Sequence, residues 1–404
     1  MSSLEASSFL HCSKTRLDWG ALRQERRIST LLADRRFFDL AVLEAARKAG
    51  AVVFARARCR RTSYSEGLWS VAADGNDGPV RVRARFLMQA TGRRGDQVRL
   101  GPRTAALCGR WHGASLPRVP EMRLAASPDG WLWGAPLADG SYAVTCFVDA
   151  SRCAARDRVA RRQFYFDLIA EDPVGGLLDR AELIGDIKVR DATRRRAVDP
   201  VTDRSIKIGD AAFAMDPISS QGVQAALRGG MQASIVVNTI LSGGDVDAAV
   251  TFYRQAQQNA VAGHLRTASE IYASQSDFPS PFWRERSIDA VRHDGSALGR
   301  AMPELNTPVR LTPVAGLQEL PAIEGMIVRT KLSLSCPSLD RPVAWFGGIE
   351  LAPLLAQIRP GSTPWSLLHD WSRAAPADIV QALLDWLFSE GVLIADDAYT
   401  NNKG

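Results

Sequence analysis

Apolar positions change period several times along the chain, and each change marks an element. Phe38, Val42, Ala45 and Ala46 recur at helical spacing after Asp34. Gly50 is placed to stop that helix, and the AVVF run at 51–54 reads as a buried strand. Between 65 and 90 the pattern shortens to runs at 68–72, 80–84 and 86–89, which predict strands. Strands continue from 99 to 172, where 130–137 and 142–148 flank Asp139 and Gly140 as a hairpin. Trp131 and Trp133 are two apart and share a face. They wall a substrate pocket or fill a sheet core.

A short strand at 206–208 hands off to a loop of small residues and then to a helix over 223–241. Val223, Ala226, Leu227, Ile235, Val236 and Ile240 carry that helix's period. Ser219 and Ser220 are its N-cap candidates. Long helical spacing follows over 246–274, with a short helix at 282–286. Pro303, Pro308, Pro313 and Pro321 mark a linker. Beyond it, helices are predicted at 349–358, from Thr363 and Pro364 as N-cap and first residue, and at 377–390 up to Gly391. A strand at 392–394 closes the chain. Three short helices with small strands predict a winged-helix module, and Asp378, Asp385 and Glu390 on its third helix oppose a use in DNA binding.

Composition narrows the class. The chain has 404 residues, 46% hydrophobic and 23% charged, the profile of a multidomain globular protein. Its +6 charge comes from arginine, and Arg194, Arg195 and Arg196 read as a solvated face with no nucleic-acid motif beside it. Six cysteines without CxxC spacing suggest neither zinc nor a disulfide framework. With no signal peptide and no membrane-spanning run, a cytoplasmic protein away from membranes and nucleic acids is expected. The five histidines (His11, His112, His264, His293 and His369) lie far apart, and no triad or metal-ligand spacing occurs.

The chemistry concentrates at 206–241. A strand ending in a small-residue loop at a helix N-terminus presents free N–H groups to an anion. Asp210, at the strand end, is placed to accept hydrogen bonds from ligand hydroxyls.

The string GDAAFAMDPISSQGV at 209–223 resembles the second FAD-binding motif of flavin monooxygenases, in the branch that includes flavin-dependent halogenases and geranylgeranyl reductases. The resemblance implies an α/β, Rossmann-like FAD-binding fold with an antiparallel substrate sheet. In it Gly209 and Asp210 hold the ribityl chain and pyrophosphate, while Pro217, Ser220, Gln221, Gly222 and Val223 line the flavin. DRRFFD at 34–39 is similar to the branch's "DRxxFD" pattern and implies that Arg35 reaches the FAD phosphates. ATG at 90–92 resembles a turn near the adenine and pyrophosphate, with Gly92 supplying its backbone angles.

WLWGAP at 131–136 is similar to the halogenases' WxWxIP, with alanine for isoleucine, and marks the branch more than the chemistry. It implies a substrate pocket with Trp131, Trp133 and Pro136, joined by Ser219. Ser219 stands where tryptophan halogenases carry a catalytic glutamate, and a serine cannot act as a carboxylate base. The DPxSSQGV form looks closer to the monooxygenases that modify protein-bound tryptophan in quinone-cofactor maturation. The family's GxGxxG loop does not occur in this sequence, so the first unit is expected from an upstream start, a lost segment or another chain.

On this resemblance the domains fall at 1–98 (incomplete FAD-binding), 99–190 (antiparallel-sheet substrate domain), 191–302 (return of the FAD-binding domain), 303–330 (linker) and 331–404 (winged-helix-like). The expected activity is hydroxylation of an aromatic substrate, a small molecule or a peptide-bound tryptophan, through a flavin hydroperoxide. Electrons come from a flavin reductase or NAD(P)H, and no side chain serves as catalytic nucleophile. The alternatives are halogenation of a substrate other than tryptophan, or a non-catalytic protein acting through its C-terminal module.

Overall fold

The computed structural model describes residues 9–20, 22–76, 78–154, 156–170, 174–288, 302–339 and 341–396. His293 and the ends of the first and last expected domains lie outside them.

An eight-stranded sheet organises the chain. Its order is Glu182–Leu183, Thr104–His112, Tyr142–Asp149, Gly130–Pro136, Glu121–Ser127, Phe9–Trp19 and Leu22–Ala33, with Lys188–Asp191 also on Thr104–His112. The expected hairpin forms, with Gly130 opposite Val148 and Pro136 opposite Tyr142. Alternation along these strands feeds two cores. Leu132, Val144 and Cys146 pack under the helix Arg158–Ala170 through Phe164, Tyr165 and Ile169. Trp131 and Phe147 point the other way, toward Tyr272 of the long helix Val246–Ala273 and toward Phe282 and Trp283.

Residues 9–33 do not join the unit expected over 1–98. Residues 14–18 run parallel beside 121–125, so both strands of 9–33 extend the eight-stranded sheet. This pairing spans about a hundred residues of sequence, out of reach of local patterning.

The second layer is built on helix Gly222–Leu241, packed against the long helix over Val201, Ile206, Ala233, Val236 and Tyr253. Beside it Leu87–Gln89 and Ser205–Lys207 form a parallel pair. Arg58–Ser65, Leu68–Gly75 and Gly78–Ala84 make a separate antiparallel sheet. The helix Arg35–Lys48 forms with Asp34 as N-cap, but none of its residues is buried. Residues 51–54, expected as a buried strand, are irregular, and Val52 is 80% exposed. Among the described residues no strand pairs with them, so their backbone groups have no ladder to join.

Most of the expected linker is structured. Gly316–Glu324 and Ile327–Ser335 form a hairpin that docks on helix Gly222–Leu241, where the Val328 N–H donates to Thr239 Oγ1 at 2.8 Å. The tail then folds around Leu351, Trp371, Leu383, Leu384 and Leu387. Its helix expected at 349–358 shrinks to Leu351–Leu355 because Ile349–Glu350 pairs with Trp345–Phe346. Thr363 caps Pro364–Trp371 as expected, and Leu393–Ala395 closes on Val309–Leu311. Among the described residues no helix is long and apolar enough to cross a membrane.

Candidate functional site

The loop from 209 to 222 is held by backbone geometry. Gly209 has φ +57°, a left-handed angle that disfavours any side chain, and opens the short 3-10 turn Gly209–Ala211. Asp216 caps the next turn, Pro217–Ser219, accepting from the Ile218 N–H at 3.1 Å. Ser220 then adopts φ 54°, a left-handed conformation rare for serine and one that concentrates at functional sites. Ser220 is thus spent in the turn, and the Ser219 hydroxyl lies by the Asp216 carbonyl and His264, so neither caps the helix as expected. The N-cap of Gly222–Leu241 is Gln221, which makes no side-chain cap bond. Residues 220–223 are exposed, and the first-turn N–H groups of a 20-residue helix face outward.

A second loop meets the first. Gly92 has φ +69° with open space where a Cβ would stand, so the backbone angle alone explains the glycine. Arg93 follows and ties the two loops together. Its Nε lies 3.3 Å from Asp210 Oδ2, and its terminal nitrogens donate to the carbonyls of Thr193 at 2.5 Å and Met215 at 3.3 Å. Gln97 Nε2 donates to the Asp210 carbonyl at 2.6 Å. Gly92, Gly209 and Asp210 are therefore brought together. Arg35 stands apart from them: its guanidinium is exposed and grips Asp39 on its own helix at 3.0 Å.

Behind the loop lies a buried polar group that links it to the sheet. Tyr272 Oη donates to Asp216 Oδ1 at 3.0 Å and accepts from Trp131 Nε1 at 3.3 Å. His264, 4% exposed, accepts the Asp216 N–H on Nε2 at 2.8 Å, and its Nδ1 lies 3.5 Å from Ser219 Oγ. Burial, reinforced by the Arg194 guanidinium, lowers the His264 pKa to about 4. Burial raises that of Asp216, against the pull of its Ile218 hydrogen bond and of Arg194. Arg194 itself is 5% exposed, which corrects its reading as part of a solvated face. One of its terminal nitrogens has no hydrogen-bond partner among the described residues.

The tryptophan pair resolves into core. Trp131 is 2% exposed, stacks on Phe147 at 3.8 Å and meets Trp19 edge-on, and half-buried Trp133 packs against the same cluster. Hydrogen bonds connect Trp131 to Ser219 through Tyr272 and Asp216. Pro136 lies at the far end of the strand, lining a separate cavity of about 250 Å³ with Leu10, Leu116, Pro117 and Leu137. Among the described residues no cluster of histidine, cysteine and carboxylates could hold a metal ion.

Sequence reasoning missed Arg93, Asp216, Tyr272 and His264 as members of this site. Arg93 directly follows the ATG turn. His264 and Tyr272 are eight residues apart on one helix, two turns along one face. That spacing was a readable signal.

No family model matches the chain. It is 24% identical over 301 residues to a tryptophan 2-halogenase of Chondromyces crocatus, covering 67% of this chain and 55% of that protein. It is 24% identical over 294 residues to the putative FAD-dependent oxidoreductase LodB of Marinomonas mediterranea, covering 68% and 78%. The chain thus spans little more than half the length of the halogenase it matches. Among solved structures, the peptidyl tryptophan dihydroxylase QhpG, essential for tryptophylquinone cofactor biogenesis, superposes with TM-score 0.70 at 24% identity over 96% of this chain and 86% of that one. The flavin-dependent halogenase CmlS gives TM-score 0.77 at 18% identity over 98% and 86%. Relatives and structural neighbours are thus flavin-dependent halogenases, FAD oxidoreductases and a tryptophan dihydroxylase, the branch that the motifs resemble. The fold is the α/β, Rossmann-like fold of that branch.

Proposed function

We propose that this chain is an FAD-dependent monooxygenase that hydroxylates an electron-rich aromatic ring, its substrate class a tryptophan carried in a peptide. The cofactor part of the reading rests on the junction of Gly92 and Arg93 with Gly209 and Asp210, beside the uncapped start of Gly222–Leu241. Those residues fit FAD. The Asp210 carboxylate is half-exposed and able to accept from ribityl hydroxyls. The N–H groups of Gly222 and Val223 suit the electron-rich pyrimidine edge, and Pro217, Ser220 and Gln221 form the wall beside it. Arg35 is left out of this set because Asp39 holds it.

Bound FAD supplies the oxygen activation. The chain's residues bind and orient the flavin, while the aromatic and aliphatic core behind the loop keeps water from its inner side. The observation that carries hydroxylation is Ser219. A hydroxyl backed by a neutral imidazole offers a hydrogen bond and no carboxylate base, which suits attack by an already nucleophilic indole. The compact unit closing the chain, with its core at Trp371 and Leu383, is read as a peptide-recognition module. A flavin reductase or NAD(P)H supplies the electrons.

The first measurement is the visible flavin spectrum of the purified chain with and without added FAD. Reduced FAD, oxygen and a tryptophan-containing peptide are then supplied, with and without chloride. Oxygen insertion independent of chloride supports the proposal. Chloride incorporation selects the second reading, a halogenase, which the likeness to a tryptophan 2-halogenase favours. Failure to bind FAD at all sinks both.

A further inference from the structure

His264, on the long helix, meets the 209–222 loop at both of its ring nitrogens. Its Nε2 accepts the Asp216 N–H at 2.8 Å, a good bond. A ring nitrogen that accepts carries no proton, so in the neutral ring the proton is on Nδ1. Nδ1 faces Ser219 Oγ at 3.5 Å, and that hydroxyl also lies 3.4 Å from the Asp216 carbonyl. With Nδ1–H directed at it, the serine oxygen is an acceptor from the ring. Its own proton is then free to be donated, to the Asp216 carbonyl or to a ligand at the loop.

Resting on the flavin reading above, we propose that His264, locked in its Nδ1–H tautomer, is a positioning residue that sets the loop from 216 to 220 and makes the Ser219 hydroxyl a donor toward the bound flavin or its substrate. Tyr272 does the same work on the carboxylate side of Asp216, so one helix grips both ends of the turn. The groups facing the ring agree with this. Arg194 disfavours a positive charge on it, the Asp216 carboxyl is turned to Tyr272 and Ile218, and the Phe213 ring meets it edge-on at 5.4 Å. The ring is held neutral, which keeps Nε2 an acceptor. The consequence for specificity is that the ligand atom presented to Ser219 must accept a hydrogen bond.

Two variants separate the contacts. His264→Gln places its amide oxygen near the Nε2 position and keeps the acceptor for the Asp216 N–H while withdrawing the group that faces Ser219. His264→Asn places its amide near Nδ1 and does the reverse. Nitrogen-15 NMR of the imidazoles in the full chain, with the His264 signal identified by its loss in His264→Gln, is expected to show a protonated Nδ1 and a bare Nε2, unchanged between about pH 7 and pH 5. Amide exchange at Asp216 is expected to accelerate in His264→Asn and stay protected in His264→Gln.

FAD affinity then supplies the cycle. Ser219→Ala and His264→Gln are each expected to weaken binding about fivefold, the worth of one neutral hydrogen bond, and the double variant no further. A protonated Nε2 overturns the proposal, whether or not the chain binds flavin, and so does an additive double variant. If the chain binds no FAD, the flavin reading fails, and the tautomer and exchange data still decide whether His264 sets the loop.

Discussion

Two amphipathic faces of this molecule look alike in sequence and end up differently. Along the long helix Val246–Ala273, Tyr253, His264, Ala268 and Tyr272 are buried, and two neighbouring sheet strands contribute Trp131 and Phe147 to the core that holds Ala268 and Tyr272. Along Arg35–Lys48 the spacing is just as regular, yet Phe37, Leu40 and Val42 stay about half exposed, and Val52 and Phe54 beyond it are exposed too. The parallel pair of Leu87–Gln89 and Ser205–Lys207 has three residues in each strand, with Met88 exposed on it. Parallel sheets elsewhere are covered on both faces. Periodicity says which side of an element is apolar. Burial depends on whether another element reaches that side.

The sharpest way to break this comparison is at the centre of the covered face. Trp131→Ala removes a fully packed indole and the donor to Tyr272, and is expected to cost about 3–5 kcal/mol of unfolding free energy. Chemical denaturation measures it, and a cost under about 1 kcal/mol would show that the core is not consolidated there.

A pH series sharpens it next. His264 has its pKa lowered to about 4 in the fold, so the unfolded chain binds the proton more readily and stability falls as pH drops from the ordinary histidine value toward 4. Between about pH 7 and pH 4.5 that loss is about 2 kcal/mol, and it is expected to disappear in His264→Gln. Asp216, its pKa raised, has the opposite sign, costing stability as pH rises through the carboxylate range, and is common to both proteins. Parallel curves for the two proteins would refute the assignment.

At the loop, Gly209→Ala forces an alanine to φ +57°, at a cost of about 1–2 kcal/mol, and FAD titration is expected to show weaker binding as the turn shifts. Unchanged stability and affinity would mean the turn relaxes freely. Smallest of all, Val52→Thr on the uncovered face is expected to change stability by no more than about 0.5 kcal/mol. A larger loss would mean that Val52 is covered in solution, and the contrast between the faces would fail.

Much of the site was legible because its geometry is local. The Gly209 turn, the helix from Gly222 and the left-handed Gly92 follow from strand, small-residue loop and helix in immediate succession. Where the expectation erred locally, at the N-cap, the cause was also local: Ser220 is consumed by a left-handed turn and leaves Gln221 at the cap. Arg93 on Asp210, Tyr272 on Asp216 and His264 on the 216–219 turn join residues 45 to 117 positions apart in the chain. No pattern of period 2 or 3.6 encodes such pairs, because they arise when packed elements cross.

The division is physical. Hydrophobic period, turn residues and caps are short-range steric and hydrogen-bonding preferences, and from them the sequence alone determined most strands and helices, the hairpin at 130–148 and the strand–loop–helix around 206–241. Tertiary structure decided what depends on which surfaces meet. Residues 9–33 joined the eight-stranded sheet, the supposed linker became a docked hairpin, and Trp131 went into the core with Pro136 beside a different cavity. It also buried Arg194 and His264, and the neutral ring of His264 follows from the dielectric around it and from no property of its sequence neighbours.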